Sequence, residues 1–184
     1  MSLTLSWDLF IIVFFAIVVT YTFIIGKKES VKIMLSSYIA IVAVQGFGNL
    51  LQRLTGSADS MLSVVGVTID LTILSTTKLV LFIAIIVFLA VRAGFDVKYD
   101  REPNQMISLA ITGLFGFATA GLLLSTLLTY IAGVPLLDAT VATASTLAPI
   151  VQQSELMKLM VVNQDLWFSL PAVLLIGVGM MTKA

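Results

Sequence analysis

Cysteine and histidine are both absent from the 184 residues. Their absence excludes a thiolate nucleophile, a disulfide framework, an imidazole base, and a zinc or haem site of the usual kind. The sequence therefore predicts no cofactor and no metal centre. Charge is also scarce, at 11% of residues, where an average soluble domain carries about 25%. Ten basic and ten acidic residues cancel. With no Lys/Arg-dense run to neutralise phosphates, nucleic acid is excluded as a partner. Paired carboxylates, a Ser-Lys dyad in suitable context, a nucleotide loop and a Gly-x-Ser-x-Gly elbow are missing too. The expectation is a protein that is not an enzyme.

What the chain has instead is hydrocarbon. Hydrophobic residues make up 59% of it, and the mean hydropathy is +1.11. A soluble body with so little polar surface and no net charge would associate, whereas a bilayer would solvate it. A spanning helix needs about 20 mostly apolar residues, and four stretches qualify. The first, near 7–25, closes in Gly26, Lys27 and Lys28, a glycine stop followed by cations at the negative end of the helix dipole. It has no basic n-region and no small-x-small site, and so reads as a retained span rather than a signal peptide. The second, near 31–51, is entered through Ser30 and left through Gln52, Arg53 and a Thr55, Gly56, Ser57 turn. The third apolar region, 61–91, would be about 46 Å long as one helix, more than the roughly 30 Å hydrocarbon core. Its span is therefore placed from about Leu71, with 61–70 at the interface. The fourth, near 106–131, follows Pro103 and ends at Gly133 and Pro135, the expected proline and glycine asymmetry.

Residues 1–135 thus form a four-span bundle, and 136–184 form short surface or re-entrant helices with room for a fifth span. Pro149 interrupts the first part of this tail. The closing run 166–181 contains Pro171, Gly177 and Gly179, which puts it at the short limit for a crossing. The fold class is all-α: a polytopic membrane helical bundle of four or five spans. Lys27, Lys28, Lys32, Arg92, Lys98 and Arg101 fall in the loops after spans one and three, while Arg53 and Lys158 fall in the others. Positive charge collects on the cytoplasmic side, so the N-terminus is expected outside a cell inner membrane.

Ionisable groups inside lipid point to function by default. Asp70 and Lys78, eight residues apart, share a helix face if the segment is continuous. Either they form part of an ion path, or Asp70 sits at the interface and Lys78 snorkels up to it. Gln45 and Asn49, at i and i+4, either cross-link helices or line a pore, and cross-linking is the commoner use of amides in lipid. Span four carries two small-residue strips, Thr112, Gly116, Ala120 and Gly121, Ser125, Thr129, with Gly113 beside them. Such strips let two backbones approach closely. Glu155 and Lys158 read as an ion pair across one helical turn. The run Asp96, Val97, Lys98, Tyr99, Asp100, Arg101, Glu102 is either a solvated connector or a docking site for a cytoplasmic partner.

The opening Trp7, Asp8, Leu9 with the close Gly26, Lys27, Lys28, Glu29, Ser30, the Asp100, Arg101 pair ahead of Gly113, Gly116 and Gly121, and the segment Ser145, Thr146, Leu147, Ala148, Pro149 together resemble the colicin V production (CvpA-like) membrane proteins. This chain departs from them in showing Gly26, Lys27, Lys28 where an arginine-glycine pair is usual, and in a longer, more apolar closing run. The resemblance implies a small inner-membrane protein linked to envelope homeostasis or secretion, with a tendency to assemble. The expected function is a non-enzymatic scaffold or assembly component whose partners are membrane lipid and a second copy or another membrane protein. The alternative is a small channel or transporter using Asp70, Lys78, Gln45 and Asn49.

Overall fold

A computed structural model of the chain describes residues 6–62, 71–92, 105–134, 136–137, 144 and 147–181. The described residues contain six helices and no strand: α1 (Trp7–Leu62), α2 (Leu71–Arg92), α3 (Gln105–Ala132), α4 (Ala148–Gln153), α5 (Glu155–Val162) and α6 (Gln164–Met181).

α1 is two helical arms joined at Gly26, whose φ of 80° and ψ of 174° belong to a region that only glycine occupies at little cost. Ser30 Oγ lies 3.5 Å from the carbonyl of Thr22, although eight residues of straight helix would separate them by about 12 Å. The arms consequently run along α3 in opposite directions. In the first arm Ile11 packs with Leu124 and Leu128, Phe15 meets Phe117, and Phe23 faces Gly113. In the second arm the order is reversed, with Val31 and Met34 against Ile111 and Phe115 and Val44 in the cluster of Leu122 and Tyr130. Gly26 therefore acts as a one-residue hairpin.

α3 is the hub. More than half of its apolar stretch, 56%, is buried, against 11% for the most apolar stretch of α1, in its first arm, and 6% for that of α2. α2 runs antiparallel to it, with Ser75 at Gly133 and Phe82 stacked edge-on against Tyr130 at 5.4 Å. α6 is antiparallel as well: Trp167 lies on Gly121, and Val178 joins Ile111 and Phe115. Gly133, at φ 70°, provides the left-handed residue that closes α3. Three helical stretches, Trp7–Leu50, Ser75–Arg92 and Met106–Ala132, are long and apolar enough to cross a membrane, and α5 and α6 qualify together across a 67° bend.

Two local expectations are corrected. The Thr55, Gly56, Ser57 segment is helical, since α1 continues to Leu62. A single glycine costs a helix only about 1 kcal/mol relative to alanine, and no proline enforces a stop. Pro149 does not interrupt a helix but sits in the first turn of α4, where its missing N–H is not needed. The closing helix begins at Gln164 and keeps Pro171 inside it.

The bundle has two unlike ends. Lys27, Lys28, Lys32 and Arg92 gather near the N-terminal end of α3, with Glu29 paired to Lys32 at 3.8 Å. At the C-terminal end of α3, Arg53 and Lys158 stand with Asp8, Glu155 and Asp165. Glu155 and Lys158 are both exposed and do not pair in the structure, as expected where water screens the attraction and ordering two side chains costs entropy.

Candidate functional site

The small residues of α3 open notches that other helices of the same chain fill. A Cβ on Gly113 would stand 3.1 Å from Phe23 Cζ, and one on Gly116 would stand 2.9 Å from Thr22 Oγ1. On the opposite side, a Cβ on Gly121 would lie 2.1 Å from Trp167 Cε3. Thr112, Ala120 and Ser125 are buried beside them. The hydroxyl of Thr112 donates to the carbonyl of Ser108 at 2.8 Å, and that of Thr129 donates to Ser125 O at 2.8 Å. In lipid, where apolar burial drives little, such close contacts hold helices together. Here the notches receive the first arm of α1 and α6.

The polar candidates from the sequence are not drawn to one point. Lys78 is half-buried, and its stem crosses Gly48, with Cε 2.4 Å and Nζ 3.2 Å from where a Cβ would be. Gln45, a turn away, is half-buried, whereas Asn49 is exposed on the bundle surface. Asp70 and the run from Asp96 to Glu102 lie outside the described residues.

Sequence reasoning missed a second set of polar contacts at the C-terminal end of α3. The Asp8 carboxylate accepts the Ser154 hydroxyl at 2.5 Å and the Leu156 N–H at 3.1 Å, while Ser154 Oγ accepts the Met157 N–H at 2.9 Å. Two residues 146 positions apart thus cap α5 jointly. A carboxylate at a helix N-terminus also meets the positive end of the dipole. The Ser154, Glu155 doublet ahead of an apolar run was the available signal for the cap, but nothing in the sequence named Asp8 as its partner. Close by, the Gln164 amide donates to Thr129 Oγ1 and ties the start of α6 to α3. Tyr38 donates its hydroxyl to the Phe168 carbonyl, three residues before Pro171, where the proline ring disturbs the backbone ladder. Ser36, Thr119, Ser125, Tyr130 and the Trp167 indole bury polar atoms that have no partner.

The Asp8 cap also positions α5 against α1. Between them, with α3 and α6 behind, lies a groove of about 300 Å³ walled by Ile12, Phe15, Phe117, Leu156, Leu159 and Trp167 among others. Its wall is almost entirely carbon. The indole of Trp167 forms the back, held 5.8 Å from Phe15 and 5.7 Å from Phe117 between ring centres. Ile12 and Leu159, at 56% and 48% exposure, border the opening.

Neither a family model, a curated protein nor a solved structure matches the chain. The geometry offers helix packing, an outward apolar surface and an apolar groove.

Proposed function

We propose that the chain is a multi-pass integral membrane protein with five crossings: the two arms of α1, then α2, α3 and α6. It acts as a non-enzymatic scaffold or assembly component. The observation that carries this is an inversion of burial. The most apolar stretch of α1, which lies in its first arm, and that of α2 are only 11% and 6% buried, and Ile17, Ile24, Val80, Val87 and Phe88 are exposed. Water would penalise that surface by roughly 25 cal/mol per Å², while lipid does not. Only a structure whose backbone bonds are satisfied within helices can present such a face to hydrocarbon. The basic end, carrying Lys27, Lys28 and Arg92, takes the cytoplasmic side of an inner membrane, with Trp7 outside. The CvpA-like resemblance adds a link to envelope homeostasis or secretion.

Because the glycines of α3 are occupied within the chain, assembly with a second copy or another membrane protein uses the outward faces of α1, α2 and α6. Cysteine labelling is free of background, since the chain has no native cysteine. Lys158→Cys should react from outside intact cells, and Lys28→Cys only after the membrane is opened. Labelling of both from one side removes the five-crossing arrangement. Single cysteines replacing Ile17, Val87 or Val173 test assembly, and a disulfide-linked dimer is expected at one face. No cross-link at any of the three, to itself or to another protein, removes the scaffold reading. The half-buried Lys78 keeps the channel reading in play: Lys78→Met should change ion flux in reconstituted vesicles if that reading holds and leave it unchanged if the scaffold reading does.

A further inference from the structure

We propose that the groove beneath α5 is a binding site for one acyl chain of a bilayer phospholipid. The inference rests on the membrane reading above and adds a ligand to it. Three observations lead to this occupant. The wall is hydrocarbon and aromatic, with no ionic side chain in it, and a water molecule needs two to four polar partners that such a wall does not supply. The volume of about 300 Å³ is roughly twice that of a dry apolar cavity able to hold benzene, about 150 Å³. It is smaller than a single turn of helix, roughly 420 Å³ for a cylinder about 10 Å across and 5.4 Å long. A flexible hydrocarbon chain fits both limits. The opening, between Ile12 and Leu159, continues into the outward apolar surface of Phe10, Val13, Val162 and Leu166. In a bilayer that surface is already bathed in acyl chains, so the ligand is supplied where the groove opens.

The α5 wall is held in place by the Asp8 and Ser154 cap, at the end of the bundle where the first arm of α1 begins. The chain is expected to enter sideways from the leaflet at that end and to lie against the Trp167 ring. Burial of Trp167 is nearly complete, at 5% exposure, so lipid atoms reach its ring only by occupying the groove.

Quenching by a phospholipid brominated midway along its chains tests this, because bromine quenches indole emission on contact. The full-length Trp7→Phe protein, reconstituted in vesicles of that lipid, leaves Trp167 as the reporter. A second protein, Trp7→Phe, Trp167→Phe, Ile83→Trp, reports an outward position on α2 that faces lipid whether or not the groove is filled. Both reporters are expected to lose emission to a similar degree. Ile12→Phe with Leu159→Phe, two exposed rim residues whose enlargement narrows the mouth, should restore Trp167 emission and leave the Ile83→Trp reporter quenched. Unquenched Trp167 beside a quenched Ile83→Trp reporter overturns the acyl-chain site while sparing the membrane reading. If neither reporter is quenched, the membrane reading falls and takes the site with it. Quenching of Trp167 that appears only as protein is diluted in lipid assigns the groove to a second copy and likewise overturns the proposal.

Discussion

The ring of Trp167 occupies the space that a side chain on Gly121 would need: a Cβ there would fall 2.1 Å from Trp167 Cε3. Phe15 and Phe117 pack against the ring at 5.8 and 5.7 Å between centres, so moving it off Gly121 breaks those contacts and pushes it toward the groove. Gly121→Ala is expected to destabilise the detergent-solubilised protein by about 1–3 kcal/mol, the usual range for overpacking, despite the gain in helix propensity from glycine to alanine. Pairing it with Trp167→Leu should cost less than the two changes summed, because residues in contact are not additive. Additive losses in thermal unfolding would show that the ring and the glycine do not share this space.

Gly26 offers a backbone effect free of packing. A Cβ at this position meets nothing within 4 Å, yet the φ of 80° and ψ of 174° are closed to other residues. Gly26→Ala should cost about 1–3 kcal/mol through strain alone. Gly46→Ala, in the helical second arm and equally unobstructed, should be neutral or gain up to about 1 kcal/mol from helix propensity. Equal unfolding midpoints for the two variants would argue against the hairpin.

The helices were legible where composition alone decides them. The start of α2 at Leu71 follows from the length that a bilayer allows, and the limits of α3 within a residue of 106–131 follow from where its apolar run begins and ends. Gly26, followed by two lysines, and Gly133, with Pro135 two residues on, stood out as stops by local signals. The partners of the α3 notches were not legible. Small-residue spacing says that some backbone approaches, but Thr22 and Trp167 are fixed by tertiary packing at sequence distances that no period encodes. Asp8 is the clearest case. In the sequence it is a lone acid ahead of an apolar run, and its work as the cap of a helix 146 residues away appears only in three dimensions.

Removing the Asp8 carboxylate should loosen α5 specifically. Asp8→Ala leaves the Leu156 N–H and the Ser154 hydroxyl without their acceptor, at a cost of about 1–2 kcal/mol by analogy with lost N-caps. Asp8→Asn keeps an acceptor oxygen and should recover part of it. Hydrogen exchange read by mass spectrometry is the suitable probe: amides of 155–162 should exchange faster in Asp8→Ala while those of α3 keep their protection. Unchanged exchange in α5 would mean that Ser154 alone suffices as the cap.

Gly48 looks as crowded as Gly121, yet the opposite result is expected there. The atoms a Cβ would meet at Gly48 are Cε, Nζ and Cδ of Lys78, the far end of a side chain with four rotatable bonds. Such a chain can move outward at a cost below that of shifting a clamped indole, and near a membrane surface a lysine readily redirects its ammonium to water. Gly48→Ala should therefore change stability by less than Gly121→Ala and raise the rate at which Lys78 is acylated by a water-soluble amine reagent, followed by peptide mass spectrometry. A stability loss matching that of Gly121→Ala, with no change in Lys78 reactivity, would mean that the ammonium is held where it is by something stronger than packing. That result would strengthen the channel reading, because a lysine fixed inside a bundle at the expense of its hydration is the kind of group that ion paths retain.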